Sequence, residues 1–354
     1  MFGSRFRLLP LMVAVTSGAD PTYVGSAACS GCHPTQFRSQ SVSGHARTLF
    51  RAERHPLSKS FPTGTPLRRE GFEFRYVPGK NGLQVKAGDG TSTIELPVEW
   101  AFGSGRHGVT FVSRLSDRSY LEHAFTYYSS TNSFGLTPGH EALPSNTLYS
   151  AIGQTLAASG PGFTIARCFQ CHSTGPVTAS KRNEIDVAEA GVRCEVCHGP
   201  GSAHTNAAAR GRTLEAKRAI RNLASSSGEE LNQLCGACHR ASLGDAALND
   251  WTNAWNVRHQ PLYLEQSRCF RASAGGLSCI TCHRPHEVLQ RAVPAYYRQK
   301  CLDCHRQIGS SCGTPAESNC VTCHMPLASA NSQLGFTNHW IGIYRERSKL
   351  IPLR

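Results

Sequence analysis

Fourteen of the 16 cysteines in this 354-residue chain stand in seven C-x-x-C pairs: Cys29/Cys32, Cys168/Cys171, Cys194/Cys197, Cys235/Cys238, Cys279/Cys282, Cys301/Cys304 and Cys320/Cys323. Each second cysteine is followed at once by a histidine: His33, His172, His198, His239, His283, His305 and His324. Paired thiolates at this spacing suit structural zinc, but zinc gives no reason for an imidazole in the next position. With 16 His in 354 residues, seven matches out of seven by chance are on the order of one in a billion. Covalent haem c supplies the reason. The two thiols add to the vinyl groups of one porphyrin edge, and the adjacent imidazole becomes the proximal iron ligand. A thioredoxin-type C-x-x-C would sit beside one strand and helix and would not recur seven times. Seven covalently attached haem c groups are therefore expected.

The second axial ligand separates a carrier from an enzyme, because a closed iron transfers electrons whereas an open one can bind a substrate. Methionine is scarce, with only Met1, Met12 and Met325, so bis-histidine ligation is the expectation. Nine histidines lie outside the motifs. From these the distal ligands are read as His45, His204, His286, His339, His259, His140 and His123, leaving His55 and His107 over. His286 follows proximal His283 by three residues and His204 follows His198 by six. Tethers that short cannot carry an imidazole round to the far face of the same porphyrin, so each should reach a neighbouring haem.

The elements that must position these groups are harder to read. About one haem per 48 residues makes porphyrin much of the interior, with short helices and loops wrapped round it. The motif spacings are irregular, which argues against a solenoid. Between His33 and Cys168 the pattern changes to period two: Phe72, Phe74 and Tyr76 alternate with charges, as do Ile94, Leu96 and Val98, with Pro97 marking an edge strand. Further strands are expected at 109–114 and 120–128. Together these predict a small antiparallel sheet of four or five strands that shields the first haems, or else a docking or substrate surface with Arg106, His107, Tyr120 and His123 to suspect first. Helices are expected over 34–43, over 145–159 and from Glu229 into Cys235. The fold class is thus a mainly α and irregular scaffold around a haem core with a small antiparallel β insert (α+β). Its divisions are a leader over 1–19, a first haem segment over 20–54, a β-rich insert over 55–144 and a hexahaem region over 145–354. The leftover cysteines, Cys269 and Cys312, form a disulfide candidate.

Leu8 to Val15 is apolar, follows Arg5 and Arg7, and precedes small residues ending at Ala19. That is an export signal in outline, and it is too short to span a bilayer. No later stretch reaches spanning length, and a mean hydropathy of -0.32 fits a soluble exported chain, periplasmic or extracellular. The formal charge of +13 omits fourteen haem propionates. With these and without the leader it becomes about -3 before the iron is counted. Lys and Arg then read as internal counter-ions, and no nucleic-acid module is present.

The strings ACSGCHPTQFRSQSVSGHA, CFQCH, GVRCEVCHGPGSAH, LSCITCHRPHE, NCVTCHMP and FTNHWI, with GSGRHGVTFV, LTPGHE, SRCF and CLDCH, resemble the multihaem cytochromes c related to cytochrome c-554 and, more distantly, to hydroxylamine oxidoreductase. The resemblance runs in order through most of residues 25 to 345. It implies distal ligation by His45, His204, His286 and His339. There is no C-x-x-C-K motif, and nothing marks a cross-linking tyrosine, so no catalytic residue is carried over. The expected function is electron transfer between a donor and an acceptor redox protein. The alternatives are a reductase or oxidase of a small nitrogen or sulfur compound at one five-coordinate haem, and a self-associating conductive filament. A fold alone does not separate the three.

Overall fold

Period-two burial builds the first half of the chain. The computed structural model describes residues 20–80, 82–160, 164–240, 250–291, 293–306, 319–346 and 349–353. The expected leader and Cys312, with its pairing to Cys269, lie outside them. Ten strands follow one another: β1 (Leu49–Arg51), β2 (Leu67–Arg69), β3 (Phe72–Gly79), β4 (Gly82–Gly88), β5 (Thr93–Pro97), β6 (Trp100–Phe102), β7 (Gly108–Arg114), β8 (Tyr120–Tyr128), β9 (Ser133–Leu136) and β10 (Gly153–Leu156). They form two antiparallel sheets, β2-β3-β4-β5 and β1-β6-β7-β8-β10, with β9 paired to β8. Strand β5 is an edge, as Pro97 requires.

One expected small sheet is therefore two packed ones. Phe74, Tyr76 and Val85 from the four-stranded sheet meet Phe111, Leu121 and Phe125 from the six-stranded sheet in one buried core. The other face of the six-stranded sheet is apolar too, and there Trp100, Phe102 and Tyr120 cover a helix, Ala166–His172. The hairpin β11 (Ser173–Ala179) and β12 (Ile185–Ala190) continues from that helix and is tied to the sheet by the Ile185 N–H, which donates to the Tyr120 hydroxyl at 2.9 Å. The architecture is α+β; aromatic alternation sustained over this length makes more sheet than the small insert expected.

Pro34–Ser41 and Gly228–His239 are helices, the second closed at its start by a Ser227/Glu230 capping box. The helix expected over 145–159 is only Leu148–Ile152, after which the chain turns into β10. Leu148, Ile152 and Leu156 satisfy helical spacing, but Gly153 approaches the Glu122 carbonyl so closely that any Cβ would clash with it. That contact lets β10 pair with β8.

After Arg193 the chain has little core of its own. Its helices are short, a last hairpin pairs β13 (Leu327–Ser329) with β14 (Gly335–Thr337), and the buried apolar cluster is Val257, Tyr263 and Ala328 packed with Trp251 and Trp340. No described helix is long and apolar enough to cross a membrane.

Candidate functional site

Each C-x-x-C-H motif is wound as about one helical turn. The His33 N–H donates to the Cys29 carbonyl at 2.8 Å, His283 to Cys279 at 3.0 Å and His305 to Cys301 at 2.8 Å. Residues i, i+3 and i+4 of such a turn share a face, so two thiols and an imidazole point the same way. In the second motif, Phe169 between the two cysteines is fully buried, edge-on to Trp100 at 5.1 Å and to Phe102 at 5.0 Å. The sheet thus fixes that turn.

Four motif imidazoles face a histidine from elsewhere. Ring centroids are 6.3 Å apart for His33 and His204, 6.0 Å for His239 and His45, 6.1 Å for His198 and His286, and 6.2 Å for His283 and His339. A metal held by two imidazole nitrogens at about 2 Å each puts the ring centroids roughly 6 Å apart. The pairing crosses motifs throughout, as the short tethers at His204 and His286 demand. Carbonyl oxygens settle several tautomers: Nδ1 of His198, His204, His324, His339 and His172 donates to the carbonyls of Arg221, Ala216, Gly342, Thr337 and Thr48 at 2.8–3.0 Å. This leaves each Nε2 with its lone pair, the arrangement a metal-bound imidazole needs. Desolvation lowers the pKa of His45, His239, His283 and His286, and takes His339 to about 4, which favours the neutral, ligating form.

The other expected ligands are placed differently. His123 lies in the sheet core, fully buried, with Nδ1 2.9 Å from the Tyr76 hydroxyl and Nε2 2.9 Å from Ser113 Oγ. Both nitrogens are engaged within the sheets, so it has none to offer a metal. His140 is buried with Nε2 3.5 Å from Glu122, and His259 is buried beside Arg258; neither faces a motif imidazole. The period-two pattern could have flagged His123, since the buried face of β8 demands a satisfied polar group. Burial holds its pKa at about 3, against an unfolded value near 6.5. The unfolded chain therefore binds a proton that the folded chain does not, and stability falls as pH drops from about 6.5 towards 3, by about 1.4 kcal/mol per unit for this group. His123→Gln should flatten that slope in urea titrations and leave any haem spectrum unchanged. A changed spectrum would return His123 to the ligand set.

Thiols of different motifs touch. Cys29 contacts Cys194, Cys171 contacts Cys238, Cys235 contacts Cys279 and Cys301 contacts Cys320, while Cys197 lies near Cys235 and Cys282 near Cys304. One functional residue escaped the reading of the sequence. Glu195, inside the third motif and 3% exposed, accepts the N–H groups of Val24 at 3.0 Å, Gly25 at 2.8 Å and Gly201 at 2.7 Å. It locks the first motif's segment to the loop before His204, and its one signal was an acidic residue within an attachment turn. Charge-assisted bonds of this kind are roughly twice as strong as neutral ones.

Six of the seven motifs line one cavity of about 2560 Å³, and the first lies outside it. An ordinary ligand site holds roughly 300–1,000 Å³. Ile280, Leu289, Leu327, Ile343, Ile351 and Leu353 are large apolar side chains turned out of the protein core, and all of them line this space. Apolar walls, paired thiols and facing imidazoles with free Nε2 lone pairs fit haem c.

Residues 150–199, which hold the second and third motifs, match the family model described as cytochrome c554 and c-prime. The fold is similar to the crystal structure of the outer cell wall cytochrome OcwA, at a TM-score of 0.54 and 15% identity, over 90% of this chain and 79% of that one. No curated protein gives a significant match.

Proposed function

We propose that this chain, related to the multihaem cytochromes c of the cytochrome c554 kind, is an exported heptahaem protein that relays electrons between redox partners. The observation that carries the reading is the set of four crossed imidazole pairs at 6.0–6.3 Å. Haem c, when bound, supplies one-electron chemistry at an iron whose free positions the protein controls. The fourteen motif cysteines anchor the groups and the seven motif histidines supply proximal nitrogens. His45, His204, His286 and His339 would close four irons, and the carbonyls at Nδ1 of His204 and His339 would keep those two rings from turning.

Thiol contacts give the motif order first, third, fourth, fifth, sixth, seventh, with the second beside the fourth. Cys32 of the first motif, Cys304 of the sixth and Cys323 of the seventh are exposed, so donor and acceptor proteins could dock at the first motif and at the last two.

One observation favours a second reading. All 16 histidines are among the described residues, and none faces His172, His305 or His324 at the ligand spacing. Irons on these three could stay open and reduce or oxidise a small nitrogen or sulfur compound. The test is the mass of the purified holoprotein, with its reduced spectrum taken with and without carbon monoxide. Seven covalent haems, of which at least four ignore carbon monoxide, are expected. Fewer than seven would end the heptahaem assignment, and no carbon monoxide shift at all would end the open-iron reading.

A further inference from the structure

Arg106 and His107 sit in the loop between β6 and β7, where the His107 carbonyl is held by the N–H and hydroxyl of Ser129. Arg291 reaches them from the other half of the chain, its Nη1 2.6 Å from His107 Nε2. A guanidinium only donates. His107 Nε2 is therefore the acceptor, the ring is neutral, and its remaining proton is on Nδ1. All three side chains line the large cavity. Among the described residues neither arginine has a carboxylate within ion-pair distance, although other arginines of the chain, such as Arg51 and Arg114, do. Two guanidiniums held near each other repel, and desolvation together with Arg106 pulls Arg291 below its ordinary pKa. Both arginines are exposed to solvent at the cavity wall, so water screens their repulsion, and an anion between them would be gripped by both at once.

We propose that Arg106, His107 and Arg291 form a clamp for an anionic oxygen group at the seam between the β-sheet half and the motif-rich half. The ligand is a carboxylate or similar oxyanion, gripped by two guanidinium forks. A haem propionate fits best. Arg291 lies close enough to His283 for its charge to be felt there, and it opens into the same cavity as the fifth motif. This source rests on the haem reading above. A soluble oxyanion is the other source of the same chemistry. Filled from either source, the clamp joins the halves, next to the seam where Ser130 and Thr131 meet Gln333.

The experiment uses the holoprotein and its R106Q/R291Q variant, with R291K as the conservative control, in buffer free of phosphate and sulfate. With a propionate in the clamp, removing two positive charges favours the oxidised state of a nearby haem. At a fixed applied potential the reduced-to-oxidised ratio of one haem in seven should fall about tenfold or more, R291K should recover most of it, and added phosphate should change nothing. With a soluble oxyanion in the clamp, added phosphate lowers the ratio in the unsubstituted protein and leaves that of R106Q/R291Q where it was. Phosphate then raises the thermal midpoint of the unsubstituted protein but not that of R106Q/R291Q. An unmoved ratio with no phosphate effect overturns the clamp. That failure is distinct from a failure of the haem reading, which appears as missing haem mass in the unsubstituted protein.

Discussion

Alanine at His286 should turn one closed iron into an open one. In the holoprotein, His286→Ala is expected to bind carbon monoxide at one more haem in seven than the unsubstituted protein, and to add a high-spin ferric signal of the same weight. His286 stands 6.1 Å from His198, with the rings inclined by 20°. His198 is itself fixed through Nδ1 to the Arg221 carbonyl at 3.0 Å and cannot swing to compensate. The described structure places no other imidazole near that face. Added imidazole should restore the low-spin form, because the cavity that His286 lines is large enough to admit it. His204→Ala, His45→Ala and His339→Ala should behave alike, whereas His123→Gln should not. If carbon monoxide binding in His286→Ala matches that of the unsubstituted protein, the ligand pairing is wrong, whatever the haem count.

What the sequence reveals follows from how local each constraint is. The attachment motif is complete within five residues, so all seven were legible without a fold. That His204 and His286 face an imidazole of another motif was legible, because a short tether rules out their own porphyrin. The partner of each was not, since which motif meets which is set by contacts such as Glu195 with Val24 and Gly25, made across 170 residues or more. His123 reads as a ligand in the sequence because a histidine's type does not tell a core hydrogen bond from a metal bond. Only the partners of its two nitrogens do. Strand alternation disclosed β3, β7 and β8, but it did not show that two sheets pack face to face, because period two fixes which residues face inward and not what they face. Leu148, Ile152 and Leu156 misled for the same reason, their spacing being compatible with a helix or with a short helix followed by a strand.

The fourth motif should matter far more to folding than the first. It touches the second through Cys171 and Cys238, the third near Cys197, and the fifth through Cys235 and Cys279. Its helix also holds the fifth directly, for Asn232 accepts the Cys279 N–H at 2.9 Å. Among the described residues the apolar cluster around it is the small one about Val257 and Tyr263, so the walls of the 2560 Å³ cavity would have mostly each other's attached groups to pack against. A core made of a bound group contributes folding free energy directly, as structural metals do. The first motif instead lies outside the cavity, with Cys32 exposed, and its segment is held by the Glu195 hydrogen bonds whether or not a group is attached. Cys29→Ala with Cys32→Ala should therefore yield a folded protein lacking one haem by mass, its thermal midpoint lower by a few degrees, about 1 kcal/mol. Cys235→Ala with Cys238→Ala should cost several times as much, about 5 kcal/mol or more, and should lower the haem content of the second, third and fifth motifs along with its own. Equal losses from the two double variants would mean that the motifs fold independently. The half after Arg193 would then owe its order to the polypeptide alone, a conclusion at odds with its few buried apolar side chains.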